Sequence, residues 1–324
     1  MKAHSREISV AIAIFVLAVL LALVAPGYFS RENLSDLFLA NVPVLIVALG
    51  MTLVIVIGQI DISVGSIFAI CGVSAGLFAK SGVPAPLAGL GAFLVGAALG
   101  ALNGALVAYV RIPSIVVTLA SMVALRDALR WQTQGAWVQD LPAGFQWFGL
   151  SQSTYPVMSL IVAVALSESI AWGLRNLAAG RAVYATGSNE EGARLAGIRT
   201  SLVTFSVFGC MGALTGMAAA LNAVRFNQIP SNAGLGLEMK VIAAVVVGGA
   251  AITGGRGTIA GTVLGVILLG VIGPALTFAG ISAYWERAVQ GGIILAAVVM
   301  AAVRPRISES RREKDGSNLA ASRA

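Results

Sequence analysis

Ten apolar segments, each close to the length of a membrane-crossing helix, follow one another at residues 8–25, 37–58, 62–79, 87–110, 112–130, 156–173, 202–223, 239–253, 258–279 and 284–303. About 20 apolar residues in a helix span the roughly 30 Å of a hydrocarbon core, so this order of segments leaves no room for a large water-soluble domain. Only 11% of the residues are charged, against about 25% in ordinary soluble domains, which excludes a soluble globule. The segments are continuous rather than alternating, which argues against an outer-membrane barrel. The expected fold is all-α: a polytopic membrane helix bundle of about ten transmembrane helices. Its 38 glycines suit helices that touch through small residues. The first segment is longer than a typical signal-peptide core and has no clear cleavage site before Pro26, so it is expected to stay as an anchor. Residues 1–303 form the expected transmembrane domain, and residues 304–324 a disordered basic cytoplasmic tail.

Charge orders the loops. The formal net charge is +7, from 21 Lys and Arg against 14 Asp and Glu. With ten spans and both termini cytoplasmic, 14 bases fall inside and 7 outside, which satisfies the positive-inside rule. The inside set includes Arg111, Arg181, Arg194, Arg199, Arg256 and the tail; the outside set includes Lys80, Arg126, Arg130, Arg225 and Lys240. The basic balance is therefore one of topology, with tail bases able to touch membrane lipid, and no nucleic-acid partner is expected. Cys71 and Cys210 lie in apolar segments and read as buried thiols; His4 is the single histidine, so motifs that need paired histidines are absent. Two longer hydrophilic stretches remain. Residues 131–154, outside, carry Trp131, Trp137 and Trp147 and suit an interfacial belt or a docking surface. Residues 174–201, inside, carry the charges.

Several local patterns bear chemistry. Between Gly58 and Ser66 two apolar segments are interrupted by Gln59, Asp61, Ser63 and Gly65, a break that membranes tolerate only where protein or a water-filled cavity satisfies the backbone. Asp61 then lines a hinge or pathway, or caps the helix expected to begin near Ile62. Asp61 and Glu168 are the main carboxylates within spans, with Glu238, Glu286 and Arg287 near span ends. So sparse a set speaks against a proton- or sodium-coupled carrier. Within the inner stretch, Ser188 or Asn189 can cap a short helix, Glu190 and Glu191 match its positive end, and Gly197 stops it. Its Ala193, Leu195, Ala196 and Ile198 suit a groove on a cytoplasmic partner, or alternatively the membrane surface. The glycines at 248, 249, 254, 255 and 257 lack the βαβ setting of a phosphate nest. Gly257, Gly261 and Gly265 instead have the spacing of close helix contact around a tight turn. No nucleotide-binding GxxxxGK[ST] occurs: Lys80 is the sole Lys followed by Ser or Thr, and Ser74 and Ala79 stand where glycines are needed. ATP-driven transport would require another chain to bind ATP.

Four ordered blocks resemble the membrane permeases of ribose-type bacterial ABC sugar importers, which serve ribose, rhamnose, galactose and autoinducer-2. They are residues 59–66 (the family's GIDLSVGS), residues 102–104 with 112–119, residues 187–198 (GGNxxAAxLxGI), and residues 234–265. The match departs at Gln59, Ser188 and Gly192, and at residues 272–275, where many relatives have Asn-Gly. Residues 135–150 and 273–277 look most like rhamnose-type systems. The resemblance implies a multi-pass permease of the bacterial inner membrane, with no bond-making residue and no cofactor of its own. It works as a homo- or heterodimer with a cytoplasmic ATP-binding subunit holding ATP and Mg, and with a periplasmic sugar-binding protein. It implies coupling to the ATPase through Gly187, Asn189, Glu190, Glu191, Ala193, Arg194, Leu195, Ala196, Gly197 and Ile198. Asp61, Ser63, Ser66, Asn103 and Thr118 become candidates near the translocation pathway. The expected function is alternating-access import of a rhamnose- or ribose-like monosaccharide, or autoinducer-2. An ion-coupled secondary carrier for a small polar solute is the alternative; an intramembrane enzyme has no suitable residue cluster.

Overall fold

The structure, a computed structural model, describes residues 5–278 and the separate positions 280, 282, 285, 288, 289, 291, 292 and 295. Eleven α-helices occupy the described residues: α1 Ser5–Val24, α2 Arg31–Val56, α3 Val64–Lys80, α4 Ala85–Ala108, α5 Ser114–Thr133, α6 Thr154–Asn176, α7 Ala178–Ser188, α8 Glu190–Leu195, α9 Thr200–Ala223, α10 Leu237–Val247 and α11 Ile259–Phe278. Among the described residues β-pairing is limited to one antiparallel bridge, Val138 with Ile229. Six helices, α1, α2, α4, α6, α9 and α11, are long and apolar enough to cross a membrane, and α3 is a shorter apolar helix. The all-helical membrane bundle is thus present. Most of the tenth expected segment, the tail at 304–324, His4, Glu286 and Arg287 lie outside the described residues.

The eighth expected segment is corrected. Instead of a span over 239–253, α10 is an 11-residue helix, about 16 Å long and half a crossing. The chain turns back after it and α11 returns alongside. Gly248 lies against Gly261, and Gly265 against the carbonyl of Ala244, so the helices touch backbone to backbone where a side chain would not fit. That is the close contact expected of the small-residue spacing. The inner stretch is also more ordered than its polarity implies, forming α7 and α8.

α2 runs through the centre of the bundle, buried along most of its length despite Pro43. Around it, α4 and α9 form the most intimate pair. They run antiparallel, with Gly96 facing the Gly212 carbonyl, Gly100 facing that of Phe208, and Gly216 facing that of Ala92. Close approach of this kind gains van der Waals contact where lipid removes any hydrophobic drive between helices. By contrast, Phe15 and Leu23 of α1 and Val157 and Ile161 of α6 are exposed, as lipid-facing surfaces require. At the end where α9 finishes, residues 134–153 fold over the bundle. Phe145 is buried, the Trp147 N–H donates to the Val224 carbonyl at 2.8 Å, and Trp131 and Trp137 stay exposed.

The glycine seam carries a direct prediction. Gly100→Val should force α4 and α9 apart and lower the melting temperature of the purified chain, an overpacking cost of about 1–3 kcal/mol or more. Gly209→Ala, whose added methyl would meet only the Ala101 methyl at 3.9 Å, should melt like the parent. Equal melting of both variants would contradict the seam.

Candidate functional site

The short helix expected in the inner stretch is α8. The Asn189 side chain accepts from the Gly192 N–H at 2.9 Å, and Glu190 and Glu191 occupy the first turn. At its other end Gly197 has φ +86°, which glycine adopts without a Cβ penalty, and the Ile198 N–H donates back to the Ala193 carbonyl at 3.0 Å. Arg194 sits 3.8 Å from Glu191 in an exposed pair worth little to stability. The expected apolar side is divided: Ala193 is buried and Ile198 half-buried against the bundle, whereas Ala196 is exposed and Leu195 is 82% exposed. A large apolar side chain is thus offered outward from a polar helix.

The root of α8 is joined to the membrane helices through bare backbone. Gly187, near the end of α7, packs against the carbonyl of Val56 at the end of α2. The same carbonyl accepts from the Gly255 N–H at 2.8 Å. Gly254, at φ +85°, lies against the Gly187 carbonyl and against Gly58, which itself has φ +76°. Any side chain at Gly187 or Gly254 would separate these strands of backbone. Tyr184 adds a hydrogen bond to the Gly257 carbonyl at 2.7 Å, and burial raises its phenol above the ordinary range. The glycine-dense turn before α11, the end of α2 and the base of α8 therefore meet at one point.

Immediately beyond Gly58 lies the helix break. Asp61 is fully buried, and its Oδ1 accepts from the Ser63 backbone N–H at 2.9 Å and the Ser63 hydroxyl at 2.6 Å. Ser63 Oγ accepts from the Asn103 amide at 2.9 Å, and Asn103 Oδ1 accepts from Ser121 at 2.6 Å. Thr118 donates to the carbonyls of Ser114, at 2.8 Å, and Ile60, at 3.4 Å, while Ser66 donates to the Met122 carbonyl at 2.7 Å. All five residues named from the sequence for this region, Asp61, Ser63, Ser66, Asn103 and Thr118, are at most 2% exposed and fall within one hydrogen-bonded cluster of α3, α4 and α5. The cap interpretation of Asp61 is refined. The helix begins at Val64 rather than Ile62, and Asp61 holds the turn that precedes it, without bonding the helix's own first amides. Asp61 Oδ2 has no hydrogen-bond partner among the described residues.

Sequence inspection missed Ser114 and Ser121. With Thr118 they recur at i, i+4 and i+7, one face of α5, and that period was the available signal. It also missed a second polar junction. Arg126, counted among the outer bases, lies within α5, half-buried, and donates to the Ala233 carbonyl at 2.9 Å. Gly65 faces the Glu238 carboxylate and the Gly234 carbonyl, so the first turns of α3 and α10 meet inside the bundle. Glu238 Oε2 is buried without a hydrogen-bond partner among the described residues. Glu168, in contrast, is exposed on α6 and joins neither cluster. Among the described residues no group of His, Cys, Asp and Glu could hold a metal.

A surface helix joined through bare backbone to a broken membrane helix suits a transporter, and the comparisons agree. Residues 33–298 match the family described as branched-chain amino acid transport system / permease component. The autoinducer 2 import system permease protein LsrC of Yersinia pseudotuberculosis serotype O:1b (strain IP 31758) is 36% identical over 302 residues, covering 91% of this chain and 84% of that protein. LsrC of Escherichia coli O157:H7 is 38% identical over 309 residues, covering 91% and 86%. LsrC of Photorhabdus luminescens is 36% identical over 305 residues, covering 91% and 89%. No solved structure matches. On the extent of these matches, and on the four sequence blocks that the fold brings together, the chain belongs to the ribose-type permeases of bacterial ABC sugar importers.

Proposed function

We propose that this permease carries a small cyclic polyol through the bacterial inner membrane by alternating access, driven by ATP hydrolysis on a separate cytoplasmic subunit. The observation that carries the proposal is the glycine junction of Gly187, Val56, Gly254 and Gly255. It sets the base of α8 directly against the end of α2, from which the chain enters the Asp61 break. Movement of α8 by an ATPase would thus reach the broken helix as a rigid-body shift rather than through loose loops. Leu195 is the contact offered to the ATPase, with Asn189, Glu190, Glu191 and Arg194 setting its frame. ATP and Mg belong to the partner.

In this account α7 and α8 face the cytoplasm, both termini lie on that side, and residues 304–324 form a basic tail. The Asp61, Ser63, Asn103 cluster holds the hinge closed at the cytoplasmic side. Arg126 and Glu238 close it deeper in the bundle. A second permease chain completes the pathway, and a periplasmic binding protein delivers the solute and sets most of the specificity. The names of the similar LsrC proteins favour autoinducer-2 as the solute over the rhamnose toward which residues 135–150 lean. The charge pattern gives little support to an ion-coupled carrier: Asp61 is enclosed by hydroxyls and an amide, with no relay of further carboxylates in its cluster.

Two outcomes test the coupling. Leu195→Asp should abolish co-purification of a stoichiometric ATP-binding protein with the tagged chain while membrane insertion stays normal; unchanged co-purification would remove α8 as the contact. Ser63→Ala strips Asp61 of a donor and Asn103 of its acceptor, at a cost of about 1–3 kcal/mol for each group left unsatisfied. Solute uptake should fall at least about tenfold with the ATP-binding protein still bound, since 1.4 kcal/mol is a factor of ten. Normal uptake in that variant would show that the cluster only fills space.

A further inference from the structure

A narrow crevice, about 230 Å³ out to its mouth, opens where α9 ends, between α3, the last turns of α9 and the loop that leads to α10. α9 begins beside α8 and is long enough to cross a membrane, so the crevice lies at the face of the bundle opposite α8. On the function proposed above, that is the face at which the solute arrives. No charged side chain lines the crevice. Its polar side chains are two half-buried amides, Asn222 and Gln228, and neither hydrogen-bonds another described residue through its side chain. Two aromatic rings complete the lining: Phe68 is buried, and Phe226 is 46% exposed. The Phe226 ring is held by Arg225, whose guanidinium stands 5.4 Å from the ring centroid and donates to the Leu39 carbonyl at 2.8 Å. Ala233 also lines the crevice, and its carbonyl is the one that accepts from Arg126 at 2.9 Å.

We infer that this crevice is the first seat of a neutral polyol in the permease, with Asn222 and Gln228 hydrogen-bonding an edge of adjacent hydroxyls and Phe226 carrying the C–H face of the ring. A primary amide offers both donors and an acceptor, which matches the two-way bonding of a hydroxyl. An ion or an amino-acid zwitterion would enter without an opposite charge in the lining and would lose hydration uncompensated. A lipid chain would leave both amides unpaired. Because the crevice is narrow, it takes one edge of the solute, a contact weak enough for onward release. Ala233 ties occupancy to the deeper junction: a solute pressing on that segment bears on the carbonyl that Arg126 holds. That the seat serves import rests on the proposed function; that it binds a polyol does not.

The test places the full-length chain in lipid nanodiscs, without any ATP-binding subunit, and measures saturation-transfer NMR to D-ribose, L-rhamnose, autoinducer-2 or L-leucine. At least one of the three polyols should receive saturation at its ring C–H protons. Asn222→Leu and Gln228→Met should each weaken that signal about tenfold, a loss of about 1.4 kcal/mol. Phe226→Leu should remove it and Phe226→Trp should keep it, a pattern that a merely structural role would not produce. Gln228→Met alters a loop side chain that bonds no other described residue, so it keeps the test open should Asn222→Leu fail to fold. No saturation of any polyol by the parent chain would overturn the seat, as would equal saturation in the amide variants. L-leucine saturated as strongly as the best polyol would overturn the ligand class. Polyol contact that the variants lose, in a chain whose uptake proves indifferent to ATP, would uphold the seat and refute the proposed energy source. ATP-driven uptake unchanged in both amide variants would overturn the seat and leave the proposed function standing.

Discussion

The coupling proposed for this bundle depends on contact between bare peptide groups at Gly187, Val56, Gly254 and Gly255. Side chains can slide past one another by changing rotamer, but a carbonyl lodged against a glycine leaves almost no slack. Such a contact passes displacement on and absorbs little of it. In the proposed account, its place between a surface helix and the last turn of the central helix α2 makes the surface helix a handle on the membrane core.

The constraint on the other side of that contact is solvation. A helix that stops inside a bilayer exposes amides and carbonyls that lipid cannot satisfy. The break after α2 meets this need with Asp61, Ser63, Ser114 and Thr118, while Asn103 and Ser121 satisfy the side chains in turn. The cluster is local enough to hold one closed arrangement. It is also made of hydroxyl and amide bonds, which in the proposed account are exchanged for those of a polyol. The second break, before α10, uses a different solution: a guanidinium reaches from α5 to the Ala233 carbonyl, and the Glu238 carboxylate lies over Gly65. Each break is thus covered by polar groups from a neighbouring helix, and opening either requires helices to part.

Much of this was legible before any coordinates. The spans follow from uninterrupted apolar runs, and α8 follows from an Asn cap, paired glutamates and a terminal glycine, all of them local. The cluster near Asp61 was half legible, because Asp61 and Ser63 sit in an evident break while Ser114 and Ser121 are ordinary hydroxyls until α5 is placed beside them. What stayed hidden is non-local or depends on where a helix ends. Residues 239–253 are apolar but for Lys240, so hydropathy does not register that the helix stops at Val247 and that the chain turns at Gly248 and Gly249. Arg126 resembles a loop base because its partner, Ala233, is 107 residues away in sequence. The Gly187 junction joins residues 67 or more positions apart, and a glycine carries no mark of the carbonyl it will meet.

The central claim is that motion of α8, powered by ATP on another chain, opens the breaks in the membrane. It is tested most directly by solute uptake into proteoliposomes containing this permease with its ATP-binding and solute-binding partners. Internal ATP is held constant while the ion gradients are collapsed with an uncoupler. The account predicts that uptake continues under the uncoupler and stops when ATP is withdrawn. Uptake that collapses with the gradients and is indifferent to ATP would contradict it.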